Sequence, residues 1–130
     1  LVPASREDRI RSFYADWIQA SPQELAGYFT ERASFEPVSR SVPIVGAAAI
    51  AGTIEIFRGR FEDVEVRILH LASADNVVHC EHRWDYAVGG GRRFSVGAND
   101  TFTFEGDRIS SWRSYFDPRA LTSHIDLGEA

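Results

Sequence analysis

Cysteine is almost absent from this chain of 130 residues: Cys80 is the one thiol, so no internal disulfide can form, and no spacing of cysteine and histidine matches a zinc site. Long apolar runs are missing as well. None approaches the roughly 18 to 20 residues that span a bilayer, and the first residues lack the basic-then-apolar order of a signal peptide. The expectation is a cytoplasmic protein with no membrane partner. Positive charge is in deficit, fourteen Lys+Arg against nineteen Asp+Glu leaving −5, so no general field attracts a phosphate backbone and a nucleic-acid partner is not expected. Repeats, linkers and low-complexity tracts are lacking too. What is present, 44% hydrophobic and 25% charged residues, suits one packed domain over residues 1–130.

From Ser5 onward Ile10, Phe13, Tyr14, Trp17 and Ile18 recur at helical spacing, with Glu7 and Asp8 in the first turn where they suit the helix dipole. Ser21-Pro22-Gln23-Glu24 reads as a capping box with proline at the first helical position, opening a shorter helix that leads into Leu25, Tyr28 and Phe29. Residues 31–38 carry Phe35 and Val38 but are interrupted by Pro37, which predicts a short or edge strand. After Gly46 the stretch AAAIAGTIEIF keeps Ile50, Ile54 and Phe57 in helical register until Arg58-Gly59. β-Branched and aromatic runs at 64–72, 76–88, 92–105 and 108–117 then predict four successive antiparallel strands, with Gly89-Gly90-Gly91 as one hairpin turn. Pro118 begins a last helical turn or short helix to about Asp126. Helices segregated to one side of a curved sheet give an α+β domain whose concave face can hold a small apolar pocket.

Period-two alternation in HCEHRWDYA places His79, Glu81, Arg83 and Asp85 on one face and Cys80, His82, Trp84 and Tyr86 on the other. An ionisable face of this kind is ordinarily solvated, its charges forming weak cross-strand pairs. Arg83 and Asp85 add a second possibility, because an arginine fork two residues from a carboxylate can hold that acid and another facing it. Asp117, closing RISSWRSYFD, supplies a candidate second acid; it also suits a helix cap before Pro118. In GANDTFTF, Asp100 shares the apolar parity of Phe94, Val96, Ala98, Phe102 and Phe104, so it is either a paired structural acid or a catalytic one.

Helix order, the segment FTERASFEPV, Arg83-Trp84-Asp85 and GDRISSWRSYFD together resemble the limonene-1,2-epoxide hydrolases, within the nuclear-transport-factor-2-like superfamily that also holds SnoaL-like polyketide cyclases and ketosteroid isomerases. The resemblance covers most of the chain. It implies a cone-shaped fold with helices wrapped on a curved, antiparallel-rich sheet, and a homodimer built through an outer sheet face carrying Trp84, Tyr86 and Trp112. It implies, further, cofactor-independent hydrolysis of a hydrophobic small-molecule epoxide by an Asp–Arg–Asp triad. Asp117 is then the base that activates water, Asp85 the acid that protonates the epoxide oxygen, and Arg83 the group that orients both. Opening an oxirane by water needs such a base and acid, each contributing typically ~10²–10⁴-fold.

Two positions depart from that family. Where it holds the attacking water with a tyrosine and an asparagine, this chain has Phe35 and Pro37, which leaves open attack by a hydroxyl of the substrate itself and hence a cyclase. Glu36 between them is a replacement carboxylate if the strand register shifts. A positional similarity to ketosteroid isomerases competes with the first resemblance. It implies that Asp100 donates a hydrogen bond to a developing oxyanion, with Tyr14 as second donor and Glu36 as base. Tyr14 has core packing as its alternative, and a non-catalytic ligand-binding module of the same fold is the third class.

Overall fold

The computed structural model describes residues 5–37 and 42–119. Helix α1 (Arg6–Trp17) starts where the Ser5 hydroxyl accepts the Asp8 backbone N–H, and its buried stripe is Ile10, Phe13, Tyr14 and Trp17. Ile18, expected on that stripe, is the helix's C-cap and points partly to water. Helix α2 (Pro22–Ala26) has both halves of the expected capping box, the Ser21 hydroxyl on the Glu24 N–H and the Glu24 carboxylate on the Ser21 N–H. Helix α3 (Ala47–Arg58) begins after Gly46, whose φ of 109° excludes most side chains, and buries Ile50, Ala51 and Ile54. Its last residue, Arg58, donates to the carbonyls of Trp17 (2.8 Å) and Ala20 (2.5 Å), satisfying acceptors left over at the end of α1.

The strands are β1 (Phe29–Pro37), β2 (Ile44–Val45), β3 (Glu62–Ala74), β4 (Val77–Val88), β5 (Arg92–Glu105) and β6 (Arg108–Phe116), in one sheet of order β2-β1-β6-β5-β4-β3. The last four form the expected antiparallel meander. Two elements differ from expectation. β1 is nine residues long and lies inside the sheet, parallel to β6 and antiparallel to β2, because Pro37 falls at its last position where the missing N–H interrupts little. β2 is too short for any periodic signal. Pro118 and Arg119 begin the expected helical turn, and Asp117 accepts the Arg119 N–H at 3.0 Å as a cap does. Residues 120–126, expected to continue that turn, lie outside the described residues, as does Val38.

All three helices cover one face of the sheet, which receives the even-numbered residues of β4 and β5. An aromatic core fills the space between. Phe13 alone meets Tyr14, Tyr28, Phe29, Phe102 and Trp112 with ring centroids 5.1–5.9 Å apart. Trp84, Tyr86 and Trp112, expected on an outer dimer face, instead turn inward: Trp84 lies 5.5 Å from Trp17 and 5.0 Å from Phe57, Tyr86 is 4.5 Å from Phe61, and Trp112 is under α1. The physical reason is parity. The covered face needs large apolar side chains, while His79, Glu81, Arg83 and Asp85 of the other parity are polar and keep contact with solvent. Among the described residues no helix is long and apolar enough to cross a membrane.

Candidate active site

Four elements deliver one polar cluster into the aromatic core. Asp100 on β5 is 1% exposed, and its Oδ2 accepts hydrogen bonds from the Tyr14 hydroxyl of α1 and from Trp112 Nε1 of β6 at 3.0 Å. His82 of β4, fully buried, brings Nε2 to 3.1 Å from the same oxygen and 3.2 Å from the Tyr14 hydroxyl. Register explains the convergence. Asp100 stands opposite Cys80 on β4 and Ser114 on β6, so its neighbours on the covered face come from both flanking strands. Phe35 enters through its ring, stacked on Trp112 with centroids 3.8 Å apart.

Five buried side-chain atoms among the described residues have no hydrogen-bond partner: His82 Nδ1, Asp100 Oδ1 and Ser114 Oγ in this cluster, and Trp84 Nε1 and Trp17 Nε1 beside it. Native interiors seldom leave buried polar atoms unpaired. Burial, then the negative charge of Asp100, holds the Tyr14 phenol well above the usual tyrosine value, so it keeps its proton and acts as a donor. Cys80, beside the cluster, has its thiol pushed up to about 12, mainly by burial, and is no nucleophile. An open cleft of about 370 Å³ between α1 and β3 reaches Tyr14; Arg11, Ile18, Val66, Arg67 and Ile68 are among its other walls.

The expected triad lies elsewhere. Arg83 and Asp85 stand on the opposite, solvent-facing side of β4 rather than sharing a concavity with the covered face. Arg83 donates to the Ser95 hydroxyl (2.8 Å) and carbonyl (3.2 Å), and Asp85 forms a two-point pair with Arg67. Hydrogen bonding by Arg67 holds the Asp85 carboxyl below its ordinary range, the reverse of what a proton-donating acid needs. Asp117, about half exposed, pairs with Arg119. Glu36 is exposed, Ala33 and Phe35 of the opposite parity having taken the covered positions of the strand, and its register partner is Arg113. The structure therefore unites Tyr14 with Asp100 and, through Trp112, Phe35; it leaves Glu36 on the other face.

His82 and Trp112 belong to the site although sequence reasoning gave neither a polar role. For His82 a signal existed, since it shares the parity of Cys80, Trp84 and Tyr86 within β4. For Trp112 the indole N–H carries no such sign, because only the packing of β5 against β6 shows which acceptor it meets.

Known proteins give the context. No curated protein matches the chain at a significant level. Among solved structures it is similar to a protein of ketosteroid isomerase-like fold from Catenulispora acidiphila (18% identity, TM-score 0.80, covering 91% of this chain and 92% of that one). It is similar as well to an LEH-like epoxide hydrolase of M. tuberculosis (20%, 0.76, 95% and 90%) and to a SnoaL-like polyketide cyclase from Jannaschia sp. (14%, 0.78, 96% and 96%). These likenesses show a shared nuclear-transport-factor-2-like fold. The model of the SnoaL-like domain matches residues 10–112, a span that runs from α1 to the indole of the Asp100 cluster, and the chain belongs to that family.

Proposed function

We propose that this protein is a cofactor-independent acid–base catalyst of the isomerase or cyclase type, acting on a hydrophobic carbonyl compound at Tyr14 and Asp100. One observation carries the reading: a protonated phenol, an acid and an indole N–H meet inside an apolar core, where the phenol also borders a cleft. Removing a proton beside a carbonyl puts negative charge on its oxygen. A preorganised donor in a water-poor site stabilises that charge far more than water does. Tyr14 is such a donor, and its hydrogen bond passes from Asp100 to the substrate oxygen as charge develops there. Asp100 and Trp112 fix the direction of the phenol in the meantime.

The test is exchange of α-protons for deuterium in cyclic ketones, followed by NMR, beside isomerisation of a β,γ-unsaturated ketone. Tyr14→Phe is expected to lower both rates by about 10²–10³-fold, the size of one lost oxyanion donor. Absence of exchange by the parent protein over the panel rejects the reading.

A second reading, water-mediated opening of a hydrophobic epoxide by Arg83, Asp85 and Asp117, is favoured by the lie of Arg83. Its guanidinium covers Gly97, where an added Cβ would sit 3.0 Å from Nη1. Asp117 follows Phe116, whose register partner Ala98 adjoins Gly97, so the arginine extends toward the strand end that carries the second acid. An open cleft of about 480 Å³ lies alongside, lined by Glu65, Arg67, Asp85, Arg93, Phe94 and Ser95. Here Asp85 must first leave Arg67. Labelled diol from oxygen-18 water that disappears in Asp85→Asn supports this reading over the first, while unlabelled cyclised product points to attack by the substrate's own hydroxyl.

A further inference from the structure

The acid–base reading lacks a base, because Glu36 faces away from Tyr14 and Asp100. On the covered face the buried polar or charged residues among those described are His82, Asp100 and Ser114, and the Cys80 thiol holds its proton to about 12. A serine hydroxyl without a base of its own does not take a proton from carbon. Asp100 accepts three donors on Oδ2 and leaves Oδ1 unpartnered, but each of those donors stabilises its carboxylate and makes it a poorer proton acceptor than a bare imidazole nitrogen.

The hydrogen-bond pattern around His82 determines its tautomer. Trp112 Nε1 can only donate, and the single Tyr14 proton goes to Asp100. Both oxygens near His82 Nε2, Asp100 Oδ2 at 3.1 Å and the Tyr14 hydroxyl at 3.2 Å, are consequently acceptors toward it. Nε2 therefore carries the hydrogen, and in the neutral ring Nδ1 carries the lone pair. That nitrogen is buried and has no partner to give up. An acid that holds one imidazole N–H and leaves the other nitrogen bare is the arrangement by which a histidine is oriented as a general base.

His82 is fully buried, and the α1–β3 cleft comes nearest to it through two neighbours. Ile68 is the cross-strand partner of His82 and lines the α1–β3 cleft together with Tyr14, whose ring centroid is 4.7 Å from the imidazole. Directly after Ile68 the pairing of β3 with β4 slips, the kind of irregularity that re-aims side chains beside functional sites.

We infer that His82 is the general base of this site, taking the α-proton of the substrate on Nδ1 while Tyr14 holds the carbonyl oxygen. The inference rests on the acid–base reading above. For a β,γ-unsaturated ketone, the C–H bond between carbonyl and alkene breaks, its proton passes to Nδ1 and its electron pair enters a dienolate. The oxygen of that dienolate accepts the Tyr14 hydrogen bond. The imidazolium then returns the proton to the γ-carbon, giving the conjugated ketone with no change in oxidation state.

The experiment follows cyclohex-3-enone becoming cyclohex-2-enone, with deuterium exchange, in the parent, His82→Gln, His82→Asn and Tyr14→Phe. Glutamine reproduces the Nε2 donor toward Asp100 and supplies no base; asparagine places its amide near Nδ1 and gives up the bond to Asp100. Both are expected to lose at least about 10²-fold in turnover, with the Gln variant retaining the parent's near-ultraviolet dichroism and unfolding midpoint. Nitrogen-15 spectra of labelled histidine are expected to show Nε2 protonated and Nδ1 bare, and the Nδ1 resonance is expected to move when 2-naphthol, a planar enol mimic, is added. A folded His82→Gln protein that turns over at the parent's rate while Tyr14→Phe is impaired overturns the assignment alone. No exchange by the parent overturns the acid–base reading and this assignment with it. A proton found on Nδ1 overturns the assignment whatever the kinetics.

Discussion

The two faces of β4 differ in what they do with ionisable groups. Outside, Glu65 stands opposite Asp85 and Arg67 opposite Arg83, so like charges are paired directly and relief comes from the diagonal Arg67–Asp85 bridge. Water screens that arrangement, and each member can be exchanged at small cost. Inside, His82 meets Asp100 where neither has any solvent exposure, and Tyr14 and Trp112 close the network from two other elements. There no screening is available, and every lost partner strands the others. Abundance of charge thus marks the tolerant face, and the few buried polar groups mark the constrained one.

The sharpest way to break this contrast is Asp100→Ala. It removes the common acceptor of Tyr14, Trp112 and His82, and unfolding in urea is expected to show a loss of about 3–5 kcal/mol, the range for severing a buried charged network. A loss no larger than that of an ordinary surface substitution would show that the cluster is solvated.

Alkaline pH probes the same face. Burial pushes Tyr86 up to about 12, Tyr28 likewise with help from its 2.5 Å bond to Asp16, and Tyr14 well above its ordinary value. These folded-state values are raised, so the stabilisation is complete below the unfolded tyrosine value near about 10 and drains away as pH rises through the folded ones. Urea midpoints are expected to fall steeply above that point, and less steeply in Tyr14→Phe. A parallel decline in both proteins would remove Tyr14 from the coupled set.

Ser21→Ala provides a yardstick from neither face. It loses the α2 capping box and is expected to cost about 1 kcal/mol, readable as a lower thermal midpoint. Asp85→Asn should fall below that yardstick. Because Asp85 is depressed, its contribution exists above the ordinary carboxylate range and vanishes as pH drops through its own lower value. The gap between parent and variant in urea is expected at neutral pH and absent in strong acid; a gap that widens in acid contradicts the ion pair. Gly97→Ala should have the smallest effect, since the Cβ at 3.0 Å displaces only the tip of Arg83, and thermal unfolding is expected to be nearly unchanged. Epoxide turnover lost in that variant without loss of stability would strengthen the outer-face reading.

Much of the architecture was legible because it follows from local rules. The stripe of α1, the capping box at Ser21, the break at Gly46 and the four long strands each depend on neighbours within a few residues. β1 was harder to read, since Pro37 signals an edge unless its place at the strand end is known. Candidate residues divided in the same way. Asp100 was marked by its parity, but its partners arrive from α1, β4 and β6, 86, 18 and 12 residues away.

Taken alone, the sequence determined the class of fold, the order of its elements and the alternation that sorts each strand into two faces, because those depend on hydrophobic period and chain stiffness. It also marked Asp100 and Tyr14 as apolar-face polar groups. Only the tertiary structure decided which parity the helices would cover. That choice sent Arg83 and Asp85 to water and His82 to Asp100, for a buried carboxylate persists where separate segments bring it donors, and no local pattern records where they come from.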